Sequence, residues 1–396
     1  MPDLLTLLTN LSWPIAIAIA WLAGEFGQRW TGLPRISFYG IVGFTMASTQ
    51  LGALPETGPG PVLALADVAF GLILFELGYR INLRWFLSNP WLLVSGLTEA
   101  LLTFAAVFIT ARWFGTSDMT SLMLASLAMS TSPATVVRIV NEQRSSGQVT
   151  ERVMHLAALN CVLSVFAFNV IIGFWIFHSA NNLQDATLST LVRLAISIML
   201  GGVFGVFVPA LLRHLGSMAK DATVAFAISV VLLVAITYSL QLSSVIATLG
   251  FGLMARHRRV AFSQAQRNFG VLGEVLTVLL FVYAAATLDF NKVMAGGALA
   301  LSVVAVSLLT KTAGVAVFAK LSGISWRKGA LTGFALAPVS VFVVLLLEHA
   351  RTRGVDVIEE LRAMAAVTML LEVFGPIIIQ RALIWARESQ GTKNAS

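Results

Sequence analysis

The stretch STSPATVVRIVNEQRSSGQVTERVMHLAALNCVLSVFAFNVI, residues 130–171, decides the fold. It joins one apolar segment, about 120–140, to a second, about 151–177, through a short polar loop, and each segment is long enough to cross a membrane as a helix. Pro133 lies near the middle of the first segment, where it removes a backbone donor and clashes with the preceding turn. We therefore predict a helix that is broken inside the membrane, with three hydroxyl side chains beside the break. These are Ser130, Thr131 and Ser132.

The composition excludes a water-soluble fold. Hydrophobic residues make up 57% of the chain and charged residues 11%, with a mean hydropathy of +0.85, whereas soluble domains average roughly 45–50% and 25%. Apolar segments long enough to cross a bilayer recur from one end of the chain to the other, and about thirteen can be placed. The predicted fold class is an all-α polytopic membrane protein with about 13 transmembrane helices.

Charge predicts the orientation of these helices. With the N-terminus outside, nineteen of the 26 Lys and Arg residues fall in inside connections and six at outside ends. Cytoplasmic loops of membrane proteins carry such an excess. The sequence therefore predicts a multi-pass protein of the cell inner membrane, with its N-terminus outside and its C-terminus inside. The isoelectric point near 10.0 reflects this topology, and no nucleic-acid partner is expected.

Motifs of enzymatic chemistry are absent from the sequence. The chain has no GxGxxG, P-loop, HExxH or GxSxG motif and no metal-spaced cluster of Cys and His. The lone Cys161 excludes an intramolecular disulfide. Neither an enzyme nor a bound cofactor or metal is expected, and the lipid bilayer is the partner that the composition demands.

A second proline lies at the matching place in the other half of the chain. Pro338 interrupts the twelfth segment, about 328–349, seven segments after the one that holds Pro133. Thirteen segments can be divided into six, one linker segment and six more, which gives two halves of opposite orientation in the membrane. Helix breaks seven segments apart then fall at matching places in the two halves, as is typical of secondary transporters with inverted repeats. We predict two inverted six-helix repeats whose broken helices cross near mid-membrane. The residues that mark the breaks are Pro133, Pro338 and Ser340.

These features resemble a known family, the bacterial cation:proton antiporters that exchange sodium or potassium for protons. The stretch 130–171 is similar to their broken helix, basic loop and following carboxylate-bearing helix. Three more stretches resemble the family in its order: LADVAFGLILFELGYRINLR (65–84), LGEVLTVLLFVYAAATLDFN (272–291) and LLTKTAGVAVFAKLSGISWRKGALTGFALAPVSVFVVLL (308–346). The resemblance runs almost end to end. It implies a sodium/proton antiporter fold that exchanges a monovalent cation for protons.

The resemblance also implies two domains. A core domain would hold both broken helices and would move against a scaffold domain that forms a homodimer. The ranges are 1–89 and 215–290 for the dimerisation domain, 90–180 and 291–388 for the core transport domain, 181–214 for a linker helix and 389–396 for a short tail.

One departure from the family concerns the ion site. Such antiporters carry an Asp-Asp or Asn-Asp pair on the helix after the basic loop, and here the pair reads Asn160-Cys161. A cation in a low-dielectric core needs anionic oxygen. Asn160 offers only a carbonyl oxygen, and Cys161 is expected to act as a small apolar residue. The carrier is therefore expected on another helix.

Ionisable residues inside the membrane are the candidates for that carrier. Glu99 and Glu372 lie near the middle of the fourth and thirteenth segments, and Lys311 lies well inside the eleventh. A buried ammonium needs compensation, so we expect Lys311 to bond Asn160 or to pair with a carboxylate, with Glu372 the first choice and Glu99 the second. A structural charge pair and a transport role fit Lys311 equally. The complete set of candidates is Glu372, Glu99, Asn160, Cys161, Thr131, Ser132 and Lys311.

Other ionisable residues are given lesser roles. His155, near the inner end of the sixth segment, is either a proton relay or an interfacial anchor. Packing or cavity-rim roles are expected for Glu25, Asp67, Glu76 and Glu274. Positions at the outer surface are expected for Glu348, Asp356, Glu359 and Glu360.

Two alternative functions stay open. Lys311 and the helix N-termini at the crossing also suit an anionic solute, because both favour negative charge. The chain is alternatively a membrane sensor or partner subunit that has lost its carrier, although only about a dozen residues follow the last segment and no nucleotide-binding domain is expected there.

Overall fold

The structure is a computed structural model that describes residues 4–56, 60–176, 183–214, 222–258, 269–352 and 362–389. Every regular element within these ranges is an α-helix, which confirms the all-α fold class. The helices are α1 (Leu4–Thr31), α2 (Arg35–Met46), α3 (Pro61–Arg80), α4 (Leu83–Ser88), α5 (Pro90–Trp113), α6 (Asp118–Ala128), α7 (Pro133–Glu142), α8 (Gln148–Ile176), α9 (Leu183–His214), α10 (Ala222–Ser239), α11 (Ser244–His257), α12 (Gly270–Ala286), α13 (Phe290–Ala295), α14 (Gly297–Val317), α15 (Trp326–Ala335), α16 (Ser340–Thr352) and α17 (Arg362–Trp385).

The outer surface of the helix bundle is apolar. Eight helical stretches in the described ranges are long and apolar enough to cross a bilayer. Met199 and Phe207 on α9 are each 63% exposed, and Leu301 on α14 is 61% exposed. Contiguous apolar faces of this kind are rare on soluble monomers, whereas lipid tails are as apolar as leucine. The chain is therefore a multi-pass membrane protein.

Two places differ from the predicted segments. The sequence predicts the second of the thirteen apolar segments over 36–54, but the helix there ends at Met46. The chain then turns, and Gly52 takes a φ of 67°.

The short helix α4 was not expected. It forms because the Asn82 side chain caps it, accepting a hydrogen bond from the Trp85 N–H at 3.2 Å.

The helices pack in two groups. The first contains α1, α2, α3, α9, α10, α11 and α12, and the second contains α5, α6, α7, α8 and α13 to α17. Gly252 allows a close approach within the first group: α11 lies against the Phe75 backbone of α3 there, and a Cβ has no room. The groups meet where α17 contacts α2, where α7 contacts α3 and where α8 contacts α9.

Both predicted helix breaks are present. Residues 129–132 separate α6 from α7, and residues 336–339 separate α15 from α16. Pro133 is the first residue of α7, a position whose N–H has no intrahelical partner in any case. Ser132 caps the same helix by accepting a hydrogen bond from the Thr135 N–H at 3.4 Å. The local sequence thus restarts the helix immediately after breaking it.

The two breaks touch each other. The Ser132 N–H donates to the Pro338 carbonyl oxygen at 2.6 Å. The Thr131 hydroxyl donates to the Leu336 carbonyl oxygen at 2.8 Å. The predicted crossing of broken helices is therefore confirmed, while the side chain of Ser340 lies outside the described part of the chain.

Candidate ion-binding site

Four helix ends converge at the crossing. Helices α6 and α15 end there, and α7 and α16 begin there. The last carbonyl groups of a helix lack intrahelical partners and carry partial negative charge, while the first amides carry partial positive charge. The crossing therefore offers negative oxygen atoms to a cation in the membrane interior.

Lys311 occupies the negative side of this crossing. Its side chain is 0% exposed, and its ammonium donates to the carbonyl oxygens of Ser130, in the first break, and Leu336, at 3.0 Å in the second. A third contact reaches the Thr131 hydroxyl at 3.3 Å. An ammonium has three donors, and each has a protein oxygen here. Lys311 thus holds the two broken helices together.

Glu99 is a carboxylate that side-chain hydrogen bonds connect to Lys311. Its Oε2 atom accepts from Asn160 Nδ2 at 3.0 Å, and the same Nδ2 lies 3.2 Å from the Thr131 hydroxyl. Glu99 and Lys311 interact electrostatically. All four side chains are 0% exposed. A buried polar chain therefore runs from Glu99 through Asn160 and Thr131 to Lys311.

Two oxygen atoms of this chain have no hydrogen-bond partner among the described residues. They are Oε1 of Glu99 and Oδ1 of Asn160, and both are buried. Leaving buried polar atoms unsatisfied is unfavourable. A carboxylate oxygen and an amide oxygen are the kind of ligands that a hard cation takes. The pair is thus suited to bind a cation that enters from outside.

A close helix contact fixes Glu99 in place. Gly314 lies on α14 one turn after Lys311, and a Cβ there would lie 2.7 Å from the Cα atom of Glu99. Lys311 and Gly314 are three residues apart and so share one face of α14. The ammonium projects from this face, and the backbone of α5 packs closely against it at the glycine. The glycine therefore allows the two charged side chains to reach one site.

Glu372 does not belong to this cluster. It lies on α17 against Gly40 of α2, where an added Cβ would be 2.7 Å from its Cγ atom. The expectation that Glu372 is the first partner of Lys311 is therefore wrong, and the second choice, Glu99, takes that place. The cause is the rotation of each helix about its axis, which the sequence of a uniformly apolar helix leaves undetermined.

The surroundings of Cys161 and His155 suit structural roles. Cys161 is 0% exposed within the apolar core, as expected of a small apolar residue. His155 accepts the Asn82 N–H at Nε2 (3.0 Å) and has Nδ1 2.7 Å from the Glu151 carbonyl oxygen. This pattern requires the proton on Nδ1 of a neutral ring. Trp85 packs against the ring edge-on, so the anchor role fits better than the relay.

The remaining acidic residues divide between rim, packing and pairing roles. Asp67 lines a cavity and lies 3.1 Å from His349 Nε2. Glu76 pairs with Arg80 at 2.8 Å. Glu348 was expected at the outer surface, but it is only 4% exposed, because α16 packs that side of its turn inward. Three further residues fall outside the described ranges: Asp356, Glu359 and Glu360.

Comparisons with known proteins agree with this geometry. Two crossed, broken helices around a buried ionisable cluster define a transporter of the sodium/proton antiporter fold. The solved structure of the sodium proton antiporter MjNhaP1 from Methanocaldococcus jannaschii at pH 8 has that fold: it matches with a TM-score of 0.63 at 14% identity, over 96% of each chain. The profile of the family described as "Sodium/hydrogen exchanger, transmembrane" matches residues 15–385. The chain therefore belongs to the sodium/hydrogen exchanger family. No curated protein matches the sequence significantly.

Proposed function

We propose that the protein exchanges a monovalent cation, Na⁺ or K⁺, for protons, and that Glu99 is the group that carries both. The observation that supports this most directly is the buried chain from Glu99 through Asn160 and Thr131 to Lys311. In the resembled antiporters the carboxylate stands on the helix of Asn160. Here a carboxylate from α5 reaches the same amide and supplies the charge that Cys161 lacks.

Charge balance then couples cation binding to proton release. Without a cation, Glu99 holds the exchangeable proton beside the Lys311 ammonium; once that proton leaves, the open oxygens of Glu99 and Asn160 face an entering cation. Two unit charges 4 Å apart interact by about 4 kcal/mol at an effective dielectric constant of 20. A cation beside the ammonium is stable only if a proton leaves the site, and the proton returns when the cation departs. One site then holds either a cation or a proton.

The same geometry favours a cation over an anionic solute. The three donors of the Lys311 ammonium already have oxygens from the two breaks as partners. No donor is left for an anion, and the neighbouring Glu99 repels one. An anion site at this crossing would require Lys311 to abandon contacts that hold the broken helices together.

Transport by alternating access further requires the second helix group to move against the first. The proposed core comprises 90–180 and 291–388, and the proposed scaffold, which pairs in a homodimer, comprises 1–89 and 215–290. The packing of the two groups, with the proposed ion site inside the second, supports this division, while α9, within the proposed linker 181–214, packs with the first group and also contacts α8. The excess of Lys and Arg in inside loops supports an N-out, C-in orientation in the cell inner membrane.

Proton flux in proteoliposomes tests the proposal. A pH dye reports the lumen while Na⁺, K⁺, Li⁺ or chloride is added to wild type, Glu99→Gln and Glu372→Gln. We expect an alkaline shift of an acid-loaded lumen with Na⁺ or K⁺, lost in Glu99→Gln and retained in Glu372→Gln. Gln keeps the size of the side chain and an acceptor for Asn160, so the folded structure is preserved.

The other outcomes point elsewhere. Loss in Glu372→Gln with retention in Glu99→Gln would assign the carrier to Glu372. A response to chloride but to no cation would favour the anionic solute, and no response from folded protein would favour a sensor or partner subunit.

A further inference from the structure

A buried polar cluster joins the two helix groups at the end of α7. Asn141 donates from Nδ2 to Glu76 Oε1 on α3 at 2.8 Å and accepts a hydrogen bond at Oδ1 from Arg80. Arg80 also pairs with Glu76 at 2.8 Å within α3. The side chain of Glu76 is 1% exposed and that of Arg80 13%, so solvent screens these charges little. We refer to these three residues as the Asn141 cluster.

Two further contacts extend this attachment to other helices of the first group. Arg138 lies one turn before Asn141 on the same face of α7. It donates to the Gly273 carbonyl oxygen of α12 at 3.1 Å. Glu142 accepts from the Arg35 N–H of α2 at 3.4 Å and from Gln28 of α1. The end of the broken helix is thus bonded to α1, α2, α3 and α12.

At its other end the boundary between the groups is open to a cavity, although the 3.1 Å contact between Asp67 and His349 crosses it there. A cavity of about 450 Å³ lies there, lined by Asp67 of α3 and Arg193 of α9 on one side and by Asn169 of α8 and His349 of α16 on the other. Asp67 precedes Glu76 by nine residues, about 14 Å along α3. The closed end and the open end are therefore opposite ends of one boundary.

The ion site lies between these two ends and closer to the cavity. Val165, in the cavity wall, is five residues and about 7.5 Å along α8 from Asn160. Pro133, at the crossing, is eight residues and about 12 Å along α7 from Asn141. A cation therefore has a shorter path to the site from the cavity than from the Asn141 cluster.

We propose that the Asn141 cluster is the cytoplasmic gate of the exchange. It holds α7 against the first helix group while the ion site faces the outer cavity, and it separates when the site turns inward. This inference rests on the proposed function and on the N-out orientation, which places Arg80 and the end of α7 on the inside.

The chemistry of the cluster suits repeated opening. Glu76 and Arg80 stand four residues apart on one helix, so their ion pair stays intact when α7 leaves. Within the cluster, opening breaks the amide hydrogen bonds of Asn141; the bonds of Arg138 to α12 and of Glu142 to α1 and α2 break with them. Breaking a buried pair between helices would leave uncompensated charges at much greater cost, whereas hydrogen bonds of an amide to charged groups contribute modestly. Asn141 can therefore hold α7 against α3 in the closed state and release it without separating the Glu76–Arg80 ion pair.

Accessibility of reporter cysteines tests the gate directly. In a Cys161→Ala background, Leu346→Cys reports on the outer cavity and Thr277→Cys, 4% exposed near Gly273, reports on the closed end. Membrane-impermeant thiol reagents are applied from either side. We expect Leu346→Cys to be labelled from outside and Thr277→Cys to be protected from inside.

Removing the amide should shift this balance. Asn141→Ala is expected to raise labelling of Thr277→Cys about tenfold, because about 1.4 kcal/mol changes the ratio of the two states tenfold. Labelling of Leu346→Cys should fall only slightly while the outward-facing state still predominates. Gln143→Ala is the matched control, since this neighbouring amide makes no side-chain hydrogen bond to the described residues, and it should change neither rate. Equal labelling in Asn141→Ala and its parent would overturn the gate, as would full labelling of Thr277→Cys in the parent.

A reversible cross-link tests whether the gate must open. In Gln28→Cys/Glu142→Cys, made in the Cys161→Ala background, the Asn141 cluster is intact and the two cysteines lie on α1 and α7 at positions whose native side chains are hydrogen-bonded. A reducible bifunctional thiol reagent should stop exchange in this variant, and reductant should restore it. Unchanged exchange in the cross-linked protein would refute the proposal. Absence of exchange in the wild-type protein would count against the proposed function alone, because the labelling experiment reads the gate without reference to any ion.

Discussion

Lys311 and Asn160 share one oxygen atom, the hydroxyl of Thr131. The ammonium lies 3.3 Å from it and the amide nitrogen 3.2 Å, and the hydroxyl itself donates to the Leu336 carbonyl oxygen at 2.8 Å. Since the Asn160 amide also holds Glu99, this hydroxyl connects the positive and negative charges of the site.

Thr131→Val should therefore weaken cation binding. The substitution keeps the shape of the side chain and removes the shared oxygen. Of the three hydrogen bonds that the hydroxyl makes, those from Lys311 and Asn160 position the site. Their loss, about 1–2 kcal/mol in total, predicts a KM for the cation raised roughly 5- to 30-fold with a smaller change in kcat. Thr237→Val is the control, because this buried threonine bonds only carbonyls of its own helix. A KM within twofold of wild type would argue against the shared oxygen.

Lys311→Met should destabilise the protein in a way that small cations repair. Without the ammonium, the carbonyl oxygens of Ser130 and Leu336 lose a buried donor, at about 1–3 kcal/mol each. We expect a lower Tm in choline chloride and partial recovery in NaCl or KCl, since a ligand that binds only the folded state stabilises it. The exposed Lys320→Met serves as control. Equal Tm values in choline and in sodium or potassium would contradict a cation-binding pocket of carbonyls.

Gly314→Ala should disrupt the site through its backbone. The new Cβ would lie 2.7 Å from Glu99 Cα, so α5 and α14 must separate. We expect a lower Tm and reduced exchange. Gly202→Ala, in α9, meets nothing within 4 Å and should leave the Tm unchanged or raise it, because alanine favours helix by about 1 kcal/mol over glycine. Similar losses in both variants would indicate a general intolerance of Gly→Ala.

Glu388→Gln should weaken the start of α8. The carboxylate accepts hydrogen bonds from the N–H groups of Val149 (2.9 Å) and Thr150 (2.8 Å) and from the Thr150 hydroxyl. Charge-assisted caps of this kind contribute about 1–2 kcal/mol, so the Tm should fall. Glu151→Gln removes a charge from the same helix end without breaking a cap, and its effect should be smaller. A larger effect of Glu151→Gln would show that the general field, and not the cap, stabilises this end.

The sequence was sufficient for those features that depend on residue type alone. Pro133 and Pro338 mark the breaks because proline cannot continue a helix, and Lys311 stands out because a charge inside an apolar helix must be compensated. Asn160 was expected at the site from the family pattern, and in the structure its amide is hydrogen-bonded to Glu99 and Thr131, two other candidates.

Features that depend on backbone atoms and helix rotation were missed. The acceptors of Lys311 in both breaks are carbonyl oxygens, which every residue possesses, so no pattern marks Ser130 or Leu336. The choice between Glu99 and Glu372 required the angular position of α5 and α17. Gly314 on α14, which faces Glu99, is a sequence signal for a close helix contact. The sequence does not show which helix makes that contact, and the structure is needed to identify α5.

The contacts of Lys311 also bear on how the protein is made. Because α14 precedes the second break, 336–339, in the chain, one of the three oxygen atoms that later accept from the ammonium is made after α14 itself. Glu99, Thr131 and the Ser130 carbonyl are made before it. The first half of the chain therefore already offers two acceptors to the charged helix as it inserts, and a lone C-terminal half would insert the same helix without them.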